Sequence, residues 1–183
     1  VTPLCNAVNV PYFEDFNGLI GGALPSCTSA DHPAWQSNFI NGNLFSNEPY
    51  TSFFTKGVNL TGGQLYRVSY NYSTNLNGQA DLEVSYGTTN FAPTQGNITT
   101  PLAYHASLSN IQTNIVNFTA PSTGVFYLQF NLADLTDLTG GALNIDNIRI
   151  ELETCLPPTF DNFSPVAPAV SSTAYANVID DFS

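Results

Sequence analysis

Positive charge is what this chain most lacks. Only 3 of its 183 residues are Lys or Arg, against 14 Asp and Glu, and the net charge is −11. Nothing in such a chain can neutralise phosphate, so nucleic acid and anionic lipid are excluded as partners. Charge of either sign is scarce, at 9% of residues, against about 25% in ordinary globular domains. The surface must then be built from Asn, Ser, Thr, Gln and Gly, as in secreted and adhesive modules. Cysteine is limited to Cys5, Cys27 and Cys155, with no Cys-x-x-Cys, so zinc and dithiol redox motifs are unsupported. An odd count in an extracellular chain implies one disulfide and one leftover thiol. No apolar run approaches the ~18 residues of a membrane span, so no membrane insertion is expected. No basic stretch followed by an apolar one opens the chain; a mature sequence or an excised fragment is the expectation.

Helical periodicity is nearly absent, and strand alternation takes its place. Tyr66, Val68, Tyr70 and Tyr72 share one face, as do Leu82, Val84 and Tyr86, and Phe126, Leu128, Phe130 and Leu132. Gly62-Gly63, Asn77-Gly78, Ser122-Thr123-Gly124 and Gly140-Gly141 punctuate these runs. Many short antiparallel strands joined by Gly and Asn turns predict an all-β sandwich or jelly roll. Hydrophobic content of 43% supplies a core for one domain. The character changes near Cys155. Residues 1–155 read as the domain, and 156–183, rich in Pro and Ser, as a linker or the start of a following module. Tyr175 to Phe182 has the pattern of one more strand, for a sheet here or in a neighbouring chain; a semi-ordered linker is the alternative. The Asn-x-Ser/Thr sequons at Asn59, Asn71, Asn97, Asn117 and Asn162 are what a chain this rich in Asn, Ser and Thr produces by chance.

Two carboxylates face the wrong way for a simple sandwich. In Tyr12-Phe13-Glu14-Asp15-Phe16, alternation puts Glu14 on the side of Tyr12 and Phe16. In Leu143-Asn144-Ile145-Asp146-Asn147-Ile148-Arg149-Ile150, it puts Asp146 with Ile148, Ile150 and Leu152. Both acids are thereby expected to face the core, where an unpaired charge is costly. With so few Lys and Arg, a bound cation, Ca²⁺ above all, is the natural partner. First and last strands often lie side by side in a jelly roll, which would bring Glu14 and Asp146 together, with Asp15, Asn17 and Asn43 as further oxygen donors. The plainer alternative is that either acid accepts backbone N–H groups at a bulge; alternation does break at Asp146-Asn147.

The order of segments resembles a known family. Val10 to Phe16, Leu24-Pro25-Ser26-Cys27-Thr28, Ser52 to Tyr70, Leu82 to Gly87, Ser122 to Phe130 and Leu143 to Ile148 follow the series of the cleaved-adhesin or choice-of-anchor jelly rolls. These are MAM-like domains of Bacteroidetes surface proteins carried by type IX secretion. The resemblance covers roughly residues 5–155. Thr28 and Phe53 stand where the family often has Trp. The resemblance implies a secreted or bacterial cell-surface module of a larger protein, binding or spacing rather than catalysing. Its partners would be extracellular glycan or protein and the adjacent modules of the same polypeptide. It supports a structural calcium, and it implies a Cys5–Cys27 disulfide, with Cys5–Cys155 as the alternative.

A second reading is a carbohydrate-binding module of a polysaccharide-degrading enzyme. Exposed rings would stack on sugars, with Trp35, Tyr50, Tyr72 and Tyr104 as candidates beside abundant amides; the alternative is that these rings fill the sandwich. A third is an assembly subunit that donates residues 173–182 to a neighbour. Catalysis is not expected. His32 and His105 are the only histidines, no Gly-x-Ser-x-Gly elbow occurs, and Asp81 with Glu83 reads as a solvent-facing pair. Asp134 and Asp137 read as a loop.

Overall fold

The computed structural model describes residues 5–38, 40–75, 80–89, 100–105, 111–135 and 141–154. These form thirteen strands: β1 (Val8–Asn9), β2 (Tyr12–Glu14), β3 (Ser29–Ala30), β4 (Gln36–Asn38), β5 (Asn43–Ser46), β6 (Thr51–Phe54), β7 (Val58–Leu60), β8 (Leu65–Asn75), β9 (Ala80–Gly87), β10 (Thr100–His105), β11 (Gln112–Thr119), β12 (Gly124–Leu135) and β13 (Ala142–Leu152). Among the described residues no helix is long and apolar enough to cross a membrane. Cys155 and the segment 156–183, including the candidate strand, lie outside them.

Two sheets make a jelly-roll sandwich, each organised by one long strand. In the seven-stranded sheet, β12 pairs with β9 on one edge and with β7 and β6 in succession on the other. In the six-stranded sheet, β13 pairs with β8 on one edge and with β5 and β2 on the other. The chain changes sheets between β1 and β2 at the cis Val10–Pro11 peptide. The first and last strands do meet: β2 is antiparallel to β13, with Glu14 opposite Ile148 and Tyr12 opposite Ile150. A disulfide joins Cys5 to Cys27, whose Cα atoms are 5.2 Å apart.

The alternation read in β8, β9 and β12 sets the inner faces. Tyr66, Val68, Tyr70 and Tyr72 meet Leu82, Val84, Phe126, Leu128, Phe130 and Leu132 in one buried cluster. Phe53 is its centre, with ring centroids 6.0 Å from Phe16, 6.1 Å from Trp35 and 6.4 Å from Phe130. Tyr70 stands edge-on to Phe130 at 5.1 Å, tying one sheet to the other. Trp35 is 1% exposed and Tyr72 6%. Neither is an open sugar platform. Rings of this size remove so much apolar surface from water that a sandwich short of helices places them inside.

At one end of the sandwich a polar clip closes the core. Tyr72 stacks on His105 at 4.2 Å. The Tyr70 hydroxyl lies 2.7 Å from His105 Nε2 and accepts a bond from Asn114 Nδ2 at 2.8 Å. Which of the hydroxyl and Nε2 donates is set by the ring's tautomer. Burial holds the His105 pKa below the ordinary imidazole value and pushes the Tyr70 hydroxyl up.

Two outcomes follow for stability. Phe53→Ala empties the centre of the aromatic cluster and is expected to cost about 3–5 kcal/mol in denaturant unfolding; a loss under about 1 kcal/mol would show that the surrounding rings collapse into the space. For His105 the folded pKa lies below the unfolded one, so between the two values the unfolded chain binds the extra proton and stability falls as pH drops. The melting temperature of the wild type should therefore decline more than that of His105→Gln between about pH 7.5 and about pH 5.5.

Candidate functional site

The outer face of the six-stranded sheet carries an amide-lined groove of about 490 Å³. Strand order β11-β8-β13-β5-β4 and pairing register explain how it is assembled. Asn144 lies opposite Phe45 on β5 and Ser73 on β8. Asp146 lies opposite Asn71, and Asn43 opposite Asn38. Two rows thus cross the strands, one through Phe45, Asn144 and Ser73, the other through Asn38, Asn43, Asp146 and Asn71. Ile111, Asn41 and Asn47 complete the walls. Five strands at the usual spacing of about 4.8 Å give a footprint of roughly 19 Å. Phe45 supplies an apolar floor and Ile111 an apolar stretch of wall, and the amides supply paired donors and acceptors. Asn43 Nδ2 donates to Asn144 Oδ1 at 2.7 Å, which orients both amides.

Beside the groove, β13 holds one extra residue. Its pairing with β8 shifts register between Asp146 and Arg149, and Asn147 takes φ 52°. This is a β-bulge with Asn in the left-handed region, a residue type that tolerates it. Ile145 and Ile148 are both fully buried as a result. Asp146 is turned outward beside Asn144 into the groove, and not toward the core as uninterrupted alternation requires. Its Oδ1 accepts the Asn147 N–H at 2.7 Å and its Oδ2 accepts Asn147 Nδ2 at 3.0 Å.

Glu14 is half-buried, and Asp146 is not among the groups that act on it. Its Oε1 accepts the Phe16 N–H at 3.2 Å. Burial raises its pKa, with Phe16 N–H and the Lys56 charge pulling it back. Asp15, on the opposite face of the same segment, is the acid that approaches Asp146. Burial and then the Asp15 charge raise the Asp146 pKa, against the Asn147 N–H. Asp15 Oδ1 accepts the Asn17 N–H at 3.1 Å, and the Asn17 amide packs on Gly42, where a Cβ would strike it. Among the described residues, no three His, Cys, Asp or Glu side chains converge as a metal-binding group. A mixed donor set fits a hard cation better: Asp15, Asp146 and Asn43, whose Oδ1 is buried without a hydrogen-bond partner.

The two remaining candidate rings lie elsewhere. Tyr50 is 77% exposed and Tyr104 61%, but Tyr50 lies in the turn before β6 and Tyr104 on β10 of the seven-stranded sheet. Tyr50 N–H donates to Leu132 O, and Tyr104 on β10 donates its hydroxyl to Asp81 Oδ2. Neither borders the groove. Of the candidates from the sequence, Tyr72, Asn43 and Asp146 do line it, Tyr72 as a buried ring, whereas Asn38, Phe45, Asn71 and Asn144, which sequence reasoning missed, carry an ordinary surface signature. The one available signal was the three-residue spacing of Ile145 and Ile148.

No protein-family model matches the chain, and no curated protein matches it. Solved structures do. The K1 cleaved adhesin domain of Lys-gingipain from Porphyromonas gingivalis superposes with a TM-score of 0.57 at 12% identity, over 79% of this chain and 99% of that one. The K3 domain of the same protein gives 0.56 at 14%, over 76% and 98%. The N-terminal cellulose-binding domain of Cellulomonas fimi β-1,4-glucanase C gives 0.50 at 16%, over 73% and 93%. Identities this low establish a common fold, the β-sandwich that adhesin and carbohydrate-binding domains share.

The electrostatics at the bulge give a sign that can be checked. The folded state raises the Asp146 pKa, so at neutral pH its charge opposes folding. Asp146→Asn keeps an acceptor for the Asn147 N–H and removes the repulsion from Asp15. In chelator at pH 7 its melting temperature should equal or exceed that of the wild type, with the gap closing as pH falls through the acid range. A marked drop in chelator would mean that the charge is balanced from within the protein.

Proposed function

We propose that this chain is a non-catalytic binding module of a secreted or cell-surface protein that recognises a neutral glycan on the outer face of its six-stranded sheet. The observation that carries the reading is Phe45 set among the amides of Asn38, Asn43, Asn71 and Asn144 in one groove. Sugars present apolar ring faces ringed by hydroxyls, and a shallow apolar floor between uncharged donor–acceptor pairs is complementary to them. The lining contains no Lys or Arg and one acid, which disfavours uronic and sulfated chains. A groove running across the strands suits an extended oligosaccharide. The fold shared with a cellulose-binding domain supports the same reading.

Both histidines are committed to local structure. His105 closes the Tyr70–Tyr72 clip, and His32 Nδ1 accepts the Ala34 N–H at 3.2 Å. That arrangement favours binding over catalysis. A Ca²⁺ ion would be held by Asp15, Asp146 and Asn43, with the Asn17 amide beside them, and would fasten the β2 end to β13 and β5. The likeness to cleaved adhesin domains supports a second reading, an adhesin-type module that binds protein or spaces its neighbours.

Affinity gels and calorimetry with soluble β-glucan, xylan, mannan and an acidic pectin would separate the two. Binding to a neutral polysaccharide is expected, weakened at least tenfold, about 1.4 kcal/mol, by Phe45→Ala or Asn144→Ala. Tyr104→Ala should leave it unchanged. No retention of any polysaccharide by the folded chain would remove the glycan reading and leave the adhesin one.

A further inference from the structure

At the bulge, the groove wall holds a negative charge that no cation of the protein balances. Asp146 lies on that wall, and Asp15 adds to its charge rather than relieving it. The three basic residues of the chain are engaged elsewhere. Arg67 pairs with Glu153 at 2.7 Å and Arg149 with Glu151 at 3.0 Å, and Lys56 is the cation near Glu14.

A second observation points to the same corner. Asn43 is 9% exposed. Its Nδ2 is used by Asn144, but its Oδ1 is buried with nothing to accept from. Continuing the β5–β13 register from Ile145 opposite Leu44 sets Asn43 beside Asp146, and both line the groove. A buried carbonyl without a donor is costly to leave unsatisfied. Two carboxylates that repel and an amide oxygen that lacks a donor are all relieved by one hard cation.

We propose that this corner is a cation-assisted sugar site, in which Ca²⁺ held by Asp146, Asp15 and Asn43 is open to the groove and completes its coordination with two neighbouring hydroxyls of the bound glycan. Ca²⁺ takes 6–8 oxygen ligands at flexible angles. Three protein side chains leave positions unfilled, and the groove side is where a ligand can reach them. A purely structural ion would be enclosed by protein, whereas Asp146 and Asn43 are themselves groove wall. The inference rests on the glycan reading above and adds a reciprocal dependence between ion and sugar.

The test uses the full chain stripped of metal, titrated with calcium chloride by calorimetry. Titrations run with and without a saturating amount of whichever of β-glucan, xylan or mannan the affinity gels retain. Ca²⁺ should bind, its affinity should rise at least tenfold in the presence of the polysaccharide, and retention of that polysaccharide should weaken by the same factor in chelator. Asp146→Asn and Asn43→Ala should lose this coupling while Tyr104→Ala keeps it. Ca²⁺ affinity unchanged by polysaccharide, or no Ca²⁺ bound at all, overturns the proposal. Equal retention in calcium and in chelator overturns it too and leaves the glycan reading standing. If no polysaccharide is retained in either buffer, both fall. Circular dichroism must first show that the metal-stripped chain keeps the fold of the calcium-loaded one, so that the coupling is not a gain of structure.

Discussion

The constraint on which the functional face depends is the single extra residue in β13 at Asp146-Asn147. β13 is the central strand of its sheet, paired with β8 on one side and β5 and β2 on the other. Its inner face must supply Leu143 and Ile145 to one half of the core and Ile148 and Ile150 to the other. Simple alternation cannot do both, since Ile145 and Ile148 fall on opposite faces. The bulge resolves the conflict. Asn147 absorbs the extra residue with a left-handed φ, both halves of the strand present isoleucine inward, and Asp146 is delivered to the outer surface. Burying Ile148 and exposing Asp146 are one structural event.

The two outer faces are used differently. On the seven-stranded sheet, Asp81 on β9 and Tyr104 on β10 meet by a hydrogen bond across neighbouring strands. On the six-stranded sheet, the β13 end near Arg149 carries most of the chain's positive charge, with Arg149 over Phe13 at 5.0 Å and paired to Glu151, and Arg67 paired to Glu153. The other end is left to amides and a single acid, Asp146. In the proposed glycan reading, oriented neutral donors and acceptors give the groove its selectivity. The low charge content of the chain and the chemistry of the groove are consistent with one another in this respect.

The inner faces were legible in the sequence. Tyr66 to Tyr72, Leu82 and Val84, and Phe126 to Leu132 alternate over enough residues that only one side can be buried, and the structure buries that side. The groove was not legible. Asn38, Asn43, Asn71 and Asn144 are scattered along the chain and each alone resembles a turn or surface residue. The Asp146 face was misread because period-two reasoning propagates one slip to every later position. Trp35 and Tyr72 belong to the core for the reason that governs most large rings, while of the exposed rings Tyr104 sits on the other sheet and Tyr50 in the turn before β6.

The sequence by itself determined the class of fold and the face that each long strand buries, because hydrophobic alternation is a local property that pairing must respect. Its scarcity of Lys and Arg also leaves most of its acids without a cationic side chain to pair with. The tertiary structure alone decided which acids and amides share a surface. Register between strands distant in sequence aligns Asn43, Asn144, Asp146 and Asn71 across one sheet, and it sets Asp15 rather than Glu14 toward Asp146. Pairing register is fixed by how all the strands pack at once, and no single segment encodes it.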